Sequence, residues 1–462
     1  MPSFGNLLLL CIVILLLLTS CGKTENIQPF FVNPLDNQTC LKRDLTKLIG
    51  QAKNSIDIAI YSFSRKDILN CLLSAKKRGV KIRVVTEGET YNDPQYSPFY
   101  KTMQKAGIPI RFNSNDRSLM HNKFIVIDRE RVWTGSANIT TTDMTVNTND
   151  CFLISEKAVA EAYTLEFEQM FELNRWAGTK HDNNDELFLI DGKRVEIYFA
   201  PSDEPESQIL KVIGSATQSI HIAMFYLTND KIYKALKCAI ERGVEVKGIF
   251  DERGASDNNS EALRLVRSGN GVIDALSGLV HHKFCIIDKK IVIAGSANWS
   301  RSAMNRNDEN IIIIYSPEIA LAYLSHWNRL YEDSASIYPA SANKLPPAPP
   351  RLTCHHYNQK SGCIRIEWNT AQDAAEGYRI YRAERKGGPY NLLKEMTKKE
   401  AEGSQDYKKI GKIDGIEGSY YAHYDDYQVK PNVTYYYVVA TLVGNVESKY
   451  SDEYSKEADF ME

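Results

Sequence analysis

Two stretches of the sequence carry residue types that could bind and attack a phosphate group. The first contains His121 and Lys123, then Asp128, and then Ser136 and Asn138. The second has the same residues at the same spacing, namely His281, Lys283, Asp288, Ser296 and Asn298. A neutral imidazole can attack phosphorus, and a lysine ammonium can hold a phosphate oxygen. Serine hydroxyl and asparagine amide groups are neutral donors, so we predict that these Ser and Asn residues complete the phosphate site.

The two stretches together have the parts of one phosphodiesterase site. Cleavage of a diester through a covalent intermediate needs a nucleophile and a proton donor for the leaving oxygen. Each stretch supplies one histidine, so two stretches that face each other would complete the site within a monomer. A lone His-x-Lys is more often a core histidine beside a solvated lysine, but a long pattern matched twice argues against that interpretation. No cluster of carboxylates indicates a metal ion, and we expect no cofactor.

The motif belongs to a longer internal repeat. Residues 49–59 resemble residues 213–223, 164 positions later, and the offset is 160 at the motif. Each copy alternates strand and helix patterns, and the residues between the motif Lys and Asp are apolar and strand-like. This places His and Lys at the mouth of a strand, on one face, with Gly-Ser-x-Asn in the turn after the next strand.

The fold class predicted from this alternation is α/β. We expect two tandem α/β/α domains related by a pseudo-twofold axis, at residues 27–173 and 191–333. Residues 174–190 are polar and are predicted to link the two copies.

The doubled motif resembles that of the phospholipase D superfamily, over roughly residues 30–333. The resemblance implies a two-step, metal-independent phosphodiesterase reaction through a phosphohistidine. It would make His121 the nucleophile and His281 the general acid, with Asp128 and Asp288 in the catalytic set as orienting residues. Family members often have a supporting Glu after the motif. Glu309 stands there in the second copy and Asn149 in the first, which predicts unequal support of the two histidines.

The substrate is less constrained than the reaction. The chain has 56 Lys and Arg against 58 Asp and Glu, a net charge of −2, which excludes a strongly basic nucleic-acid binder. This balance favours a phospholipid substrate over nucleic acid. An envelope-associated endonuclease and a surface-binding protein with a degenerate site are the alternatives, the second weakened by two intact motifs. Trp299 either stacks on the substrate or packs within the sheet.

The N-terminus has the pattern of a signal sequence. Residues 7–18 form an apolar run of 12 residues, shorter than the ~20 that span a bilayer and typical of a signal-peptide core. The sequence Leu18-Thr19-Ser20-Cys21 follows and resembles a bacterial lipobox. This resemblance implies removal of residues 1–20, acylation of Cys21 and a lipid-anchored protein of the bacterial envelope, at the outer membrane or periplasmic face. An ordinary signal peptide with a chance cysteine is the alternative, since residues 1–6 lack Lys and Arg.

The C-terminal part differs in pattern from the repeat. Residues 334–349 are rich in Pro, Ser and Ala and are predicted to be a semi-extended linker. Residues 350–457 contain short alternating strands, which predict an all-β sandwich. They resemble a fibronectin type III domain, with Trp368 as the core tryptophan and Tyr435 as the tyrosine corner. Residues 386–405 are predicted to be an exposed loop, and the module a spacer or an adhesive domain.

The C-terminal cysteines are candidates for a covalent link. Cys354 and Cys363 flank the first predicted hairpin, and we expect a disulfide between them. Zinc binding by these cysteines with His355 and His356 is a weaker alternative, because the spacing matches no usual zinc motif.

Overall fold

The computed structural model describes most of the repeat and the strands of the C-terminal part. The described residues are 25–32, 40–115, 117–181, 186–257, 259–274, 278–337, 352–358, 363–369, 376–402, 421–430, 432–443, 446–448, 450–451 and 453–457. The predicted signal peptide with Cys21 lies outside these residues, as does most of the predicted linker at 334–349. In the described part of the chain, no helix is both long and apolar enough to cross a membrane.

A seven-stranded mixed sheet contains the first motif. Its strands are β1 Ile27–Val32, β2 Ser55–Ile60, β3 Lys81–Glu87, β4 Ile110–Asn113, β5 Lys123–Ile127, β6 Arg131–Gly135 and β7 Asn149–Ile154. Their order is β1-β7-β6-β5-β2-β3-β4. Strands β2, β3 and β4 are parallel, and the pairs from β2 through β5 to β1 are antiparallel.

Helices connect and cover these strands. They are α1 Cys40–Gly50, α2 Lys66–Lys77, α3 Gly88–Asn92, α4 Ser97–Lys105, α5 Thr141–Thr145 and α6 Lys157–Phe171. The apolar residues of α2 recur at helical spacing, so Ile68, Leu69, Leu72 and Ala75 are buried against the sheet. Gly79 follows the helix with a φ of 93°, a left-handed conformation that glycine adopts without steric cost.

A second sheet contains the second motif and repeats the first order. Its strands are β8 Leu187–Ile190, β9 Lys193–Ala200, β10 Ser219–Met224, β11 Glu245–Asp251, β12 Gly271–Asp274, β13 Lys283–Ile287, β14 Ile291–Gly295 and β15 Glu309–Tyr315. Their order is β12-β11-β10-β13-β14-β15-β9-β8. Apart from the added β8, each strand occupies the position of its counterpart in the first sheet. The α/β prediction for the two copies is therefore confirmed.

The helices of the second copy follow the same plan. They are α7 Pro205–Gly214, α8 Asp230–Glu241, α9 Glu252–Ala255, α10 Ala262–Arg267, α11 Arg301–Asn305 and α12 Pro317–Ile337. The segment predicted as an inter-copy linker, 174–190, is partly structured, because it contains a short 3-10 helix and strand β8. Helix α12 runs to Ile337, beyond the predicted start of the second linker.

The described chain divides into two compact units. One is built from the described residues of Met1–Ala223, Ala235–Glu245 and Ser277–Asn328, and the other from those of Met224–Lys234, Val246–Leu276 and Arg329–Glu462. Both motifs lie in the first unit.

The C-terminal residues form two antiparallel sheets around one core. The strands are β16 Leu352–Asn358, β17 Cys363–Asn369, β18 Gly377–Ala383, β19 Asn391–Thr397, β20 Tyr421–Asp426, β21 Thr434–Val443, β22 Val446–Glu447 and β23 Tyr454–Glu457, with one short helix, α13 Lys398–Glu402. One sheet is β16-β17-β20, and the other contains β19-β18-β21-β22 with β23 beside β21. Trp368 is fully buried, and the Lys430 N–H donates to the Tyr435 hydroxyl over 3.0 Å.

Two predictions for this module are wrong. Residues 386–405, predicted as an exposed loop, contain strand β19 and helix α13. Strand β19 pairs with β18, and most of its residues are exposed. Its sequence therefore lacks the alternation of apolar and polar residues by which a strand is predicted. The predicted disulfide is also absent, since Cys363 is not disulfide-bonded. The register places Cys354 opposite Glu367 and Cys363 opposite Asn358, so the two cysteines stand about four residues, roughly 13 Å, apart along the hairpin.

Candidate active site

The two motif lysines begin equivalent strands. Lys123 is the first residue of β5 and Lys283 the first of β13, and each motif histidine stands two residues earlier. The Lys123 ammonium donates to the His121 carbonyl over 2.7 Å, and Lys283 donates to the His281 carbonyl over 2.6 Å. Both lysine side chains fold back over the chain segment that carries the histidine.

Short backbone bridges join the two motif segments reciprocally. Met120 bridges Asp308, and Val280 bridges Thr148, both in parallel orientation. The His121 N–H donates to the Asp308 carbonyl over 2.9 Å, and the His281 N–H to the Thr148 carbonyl over 3.0 Å. The chain before each histidine is therefore fixed by the opposite copy, as a pseudo-twofold arrangement requires.

Each histidine ring is also held by the opposite copy. His121 Nδ1 lies 2.8 Å from both carboxylate oxygens of Glu309, and His281 Nδ1 lies 2.9 Å from the amide oxygen of Asn149. Glu309 and Asn149 begin the equivalent strands β15 and β7. Because Nδ1–H donates to these acceptors, Nε2 is the nitrogen of each ring that can react with a substrate. The support is unequal, a carboxylate for His121 and an amide for His281.

The two lysines share a strongly perturbed electrostatic environment. Both side chains are buried, at 2% exposure. Burial lowers the pKa of Lys123 to about 8, against the opposing charges of Glu309 and Asp143. Burial and then repulsion from Lys123 lower the pKa of Lys283 to about 7. Because burial disfavours both ammonium groups and Lys123 further disfavours that of Lys283, a bound anionic phosphate group would stabilise the charged form of both lysines.

The histidines interact with the same charges. Burial lowers the pKa of His121, and Glu309 partly opposes this effect. Burial lowers the pKa of His281 further, and Lys283, Lys123 and His121 add to the decrease. These interactions place both histidines and both lysines in one buried cluster, as the doubled motif predicts.

The motif serines do not match the predicted role in phosphate binding. Ser136 and Ser296 are fully buried. The Ser296 hydroxyl donates to Glu309 over 2.6 Å, and the Ser136 hydroxyl donates to Asn149 over 2.9 Å. A hydroxyl has one proton, so neither serine retains a proton for a phosphate oxygen. These serines orient the groups that support the histidines.

The motif asparagines differ between the copies. The Asn138 amide group donates to Asp143 over 2.7 Å, and its oxygen accepts from the Ser62 N–H over 3.2 Å. The buried Asn298 Oδ1 has no hydrogen-bond partner among the described residues. Phosphate binding stays a prediction for Asn138 and Asn298, and Asn298 is the less constrained of the two.

Asp128 and Asp288 lie away from the histidines, so the structure does not support the prediction that they belong to the catalytic set. They follow β5 and β13 at the ends opposite the motif lysines, in hairpin turns with φ of 55° and 50°. Asp128 accepts the N–H groups of residues 53–55 at 2.6–3.2 Å, and Asp288 accepts those of residues 217–219 at 2.7–2.9 Å. Each aspartate therefore ties its hairpin to the start of the neighbouring strand.

A buried polar layer that the sequence did not reveal lies behind the first histidine. Asn310 donates to Asn122 over 2.9 Å, and Asn122 contacts Glu166 on α6 over 3.4 Å. Glu166 and Asp308 both pair with Lys180, which is fully buried although it lies in the predicted linker. Glu166 lies on the buried face of helix α6, three residues after Tyr163 and four before Met170, and a carboxylate at this spacing is the sequence signal that could have indicated this layer.

In the second copy, His282 and His326 stand at the positions that match Asn122 and Glu166. His282 is fully buried and lies 2.7 Å from Asp150 and 3.0 Å from His326, and the Tyr323 hydroxyl donates to Asp150 over 2.9 Å. Residue His282, which the motif spacing excludes, therefore stands behind the site and does not face it.

An aromatic ring borders the first histidine. The Tyr61 ring meets His121 edge-on at a centroid distance of 5.0 Å, and the Lys123 ammonium lies 5.4 Å from its centroid. Burial and the nearby carboxylates of Glu89 and Glu87 raise the pKa of Tyr61 to about 12, so its hydroxyl is neutral. Trp299 is buried at 1% exposure and packs inside the protein.

The described residues offer no arrangement of three or more His, Cys, Asp or Glu side chains that could hold a metal ion.

Comparison with known proteins gives a family for the chain. A family model described as "Cardiolipin synthase, PLD-like domain" matches residues 45–171 and 209–331. The chain is 36% identical to a phospholipase D of Rickettsia bellii (strain RML369-C) over 149 residues, 32% of this chain and 73% of that protein. It is 32% identical to the mitochondrial cardiolipin hydrolase of Mus musculus over 133 residues, 29% of this chain and 60% of that protein. The matches to four cardiolipin hydrolases span between 50% and 64% of those proteins.

A solved structure of similar fold is the phosphatidylserine synthase of Haemophilus influenzae Rd KW20. It has a TM-score of 0.54 and 13% identity, and the match covers 66% of this chain and 86% of that one. At this identity the likeness shows the fold alone.

Proposed function

Because the chain belongs to the phospholipase D-like family, matched once in each copy, we propose that it is a phosphodiesterase that hydrolyses phospholipid headgroups. The observation that carries this proposal is the reciprocal arrangement of the site. Each histidine ring is hydrogen-bonded by a residue of the other copy, and two buried lysines lie beside the histidines. Neither copy alone therefore has all the residues of the site. Such a set supplies a nucleophile, a proton donor and charge for the phosphate.

His121 is the nucleophile in this proposal. Its Nε2 attacks phosphorus, and the bond from phosphorus to the leaving oxygen breaks. A phosphorylated imidazole with Nδ1–H carries positive charge, and the buried Glu309 carboxylate lies 2.8 Å from that nitrogen. The carboxylate therefore stabilises the phosphohistidine more than an amide would.

His281 is the general acid and then the general base. It donates the Nε2 proton to the leaving oxygen, and in the second step it accepts a proton from the water that attacks phosphohistidine. The P–N bond breaks, and both histidines return to their first state. Burial, and then Lys283 and Lys123, lower the pKa of His281 in the free site, and a bound anionic diester offsets the charges of the two lysines. Substrate binding thereby favours the protonated ring.

Phospholipid is the preferred substrate class because the net charge is −2 and the curated relatives include phospholipases D and cardiolipin hydrolases. The test offers purified residues 22–462 phosphatidylcholine, cardiolipin and single-stranded DNA side by side, with His121→Ala as the matched control. Headgroup release that His121→Ala abolishes is the expected result. Cleavage of DNA alone would overturn the lipid assignment and make the protein a nuclease, and cleavage of none would overturn the phosphodiesterase itself.

In our proposal, the N-terminal sequence anchors this enzyme to a membrane. The lipobox-like sequence before Cys21 supports a lipid anchor at the bacterial cell envelope.

The C-terminal part is, in our proposal, a fibronectin type III-like module. The buried Trp368 and the Lys430–Tyr435 hydrogen bond support this assignment. This module acts as a spacer or adhesive domain between the anchored chain and other surface polymers.

A further inference from the structure

Two sequence differences between the copies concern carboxylates beside the histidines. At the strand position that supports a histidine, the second copy has Glu309 and the first has Asn149. Just after the Gly-Ser-x-Asn sequence the pattern is inverted, since the first copy has Asp143 where the second has Ala303. These residues lie on the equivalent short helices α5 and α11. At these two positions, each copy therefore has one carboxylate, Asp143 on the short helix of the first copy and Glu309 on the strand of the second.

Asp143 lies beside the ring that lacks a directly bonded carboxylate. It is buried at 5% exposure, and its Oδ1 is 3.8 Å from His281 Nδ1. The same oxygen accepts from the Asn147 amide over 2.6 Å, and Oδ2 accepts from the Asn138 amide over 2.7 Å. The Asn149 amide donates to the Asp143 backbone carbonyl over 2.9 Å. The amide that bonds His281 is thus anchored on the residue that carries the charge.

We propose that Asp143 is a positioning residue for His281, and that Asn149 and Asp143 together perform the two tasks that Glu309 alone performs for His121. Asn149 orients the ring through a hydrogen bond, and Asp143 supplies the negative charge that favours the imidazolium. This inference rests on the proposed function, because it assigns a cause to the protonation of the general acid.

The charges around His281 show why a carboxylate is needed there. The titratable groups that act on it or on its neighbouring lysine are His121, Lys123, His282, Lys283, Asp143, Asp150 and Glu309. Burial, and then the cations, oppose protonation of the ring and lower the pKa of His281. Of the carboxylates, Glu309 is bonded to His121 and Asp150 to His282. Asp143 is the carboxylate that approaches His281 itself.

The test uses leaving groups of different basicity. A general acid matters for a natural alkoxide leaving group and little for a nitrophenolate, which needs no proton. We expect Asp143→Asn to reduce kcat on the natural diester about 10-fold or more and to change nitrophenyl diester turnover less than about 3-fold. The alkaline limb of the natural-substrate kcat profile should move to lower pH, because the imidazolium loses a favourable charge.

A second variant transplants the arrangement of the other copy. Asp143→Ala combined with Asn149→Glu recreates the Ala303 and Glu309 pair, and we expect it to recover the natural-diester rate and the alkaline limb. If Asp143→Asn does not fold, this double variant decides the question alone. Equal losses on both substrates, an unmoved limb, or a folded double variant without recovery would overturn the role of Asp143. A wild-type chain inactive on both diesters would instead contradict the proposed function.

Discussion

Lys123 and Lys283 make the site sensitive to pH. Burial and repulsion from Lys123 bring the pKa of Lys283 to about 7, and burial brings that of Lys123 to about 8. As the pH rises through these values, the free enzyme loses the charges that attract an anionic diester. We therefore expect kcat/KM to fall above about pH 7.

Arginine substitution tests this explanation, because a guanidinium stays charged across the whole range. Lys283→Arg should move the alkaline fall in kcat/KM to higher pH, and Lys123→Arg should move it less. The measurement is kcat/KM of wild type and both variants from about pH 5 to about pH 10. Identical alkaline limbs in all three proteins would show that other groups control the profile.

The buried lysines also lead to a prediction about metal ions. Two ammonium groups can balance the charge of a phosphodiester, so hydrolysis should proceed at its full rate in excess EDTA. The assay compares initial rates with and without chelator, and then after addition of Mg²⁺, Ca²⁺ or Zn²⁺. Loss of activity that a divalent ion restores would refute the lysine-based scheme.

At the scale of elements, the β5–β6 hairpin shows what motif spacing does and does not predict. The apolar residues after Lys123 indicate a strand, and the structure has one there. The spacing does not show which residues lie opposite the histidine, because Glu309 is 188 positions away in sequence. It also does not show that Asp128 holds a hairpin turn by accepting backbone N–H groups, since a motif residue that fixes a turn looks like one that reacts. Register and turn geometry decide these points.

Asp128 should affect stability and not chemistry. Asp128→Ala removes the acceptor of three backbone N–H groups, so we expect a loss of about 1–3 kcal/mol in the free energy of unfolding. Turnover by the remaining folded protein should stay within about twofold of wild type. Glu130→Ala, in the same turn and exposed, is the matched control and should change stability by less than about 0.5 kcal/mol.

The pH dependence of this stabilisation has a defined sign. Burial tends to raise the pKa of Asp128, but hydrogen bonds from the Ser55, Asn54 and Lys53 N–H groups outweigh it and lower the pKa. A lowered folded-state pKa stabilises the protein above the unfolded value of about 3.9 and loses that effect as the pH falls. The difference between wild type and Asp128→Ala, measured by chemical denaturation, should therefore shrink below about pH 4. A reduced kcat at unchanged stability would return Asp128 to the active site.

At the scale of the whole molecule, the duplication is what the sequence predicts best. Matching offsets of 164 and 160 residues predict two copies, and the two sheets have the same strand order. The sequence does not show that Lys180, within the predicted linker at 174–190, is buried and pairs with carboxylates from α6 and from the second copy. The disulfide between Cys354 and Cys363 fails because the hairpin register sets the distance between them. Composition can show that a residue is polar or reactive, but its partners are set by packing between distant segments.

The proposed lipid anchor at Cys21 predicts where the molecule is found. Cys21→Ser removes the proposed acylation site, so we expect a protein that partitions into the detergent-rich phase to become soluble or to remain unprocessed. Phase partitioning and the mass of the N-terminal peptide measure this change. Cys71→Ser is a control cysteine within the fold that should leave partitioning unchanged. Unchanged partitioning of Cys21→Ser would show that Cys21 carries no lipid.

One measurement tests the shared active site most directly, namely turnover of a natural diester and a nitrophenyl diester by His121→Ala, His281→Ala and the double variant. We predict that each single variant loses several orders of magnitude on the natural diester and that the double variant is little worse, because residues of one covalent pathway act as a unit. His121→Ala should also lose the aryl diester and the labelled phosphoenzyme, whereas His281→Ala should still release a burst of nitrophenolate and accumulate the phosphoenzyme, because only its second step lacks a base. Near wild-type rates of both single variants on both substrates would contradict the account.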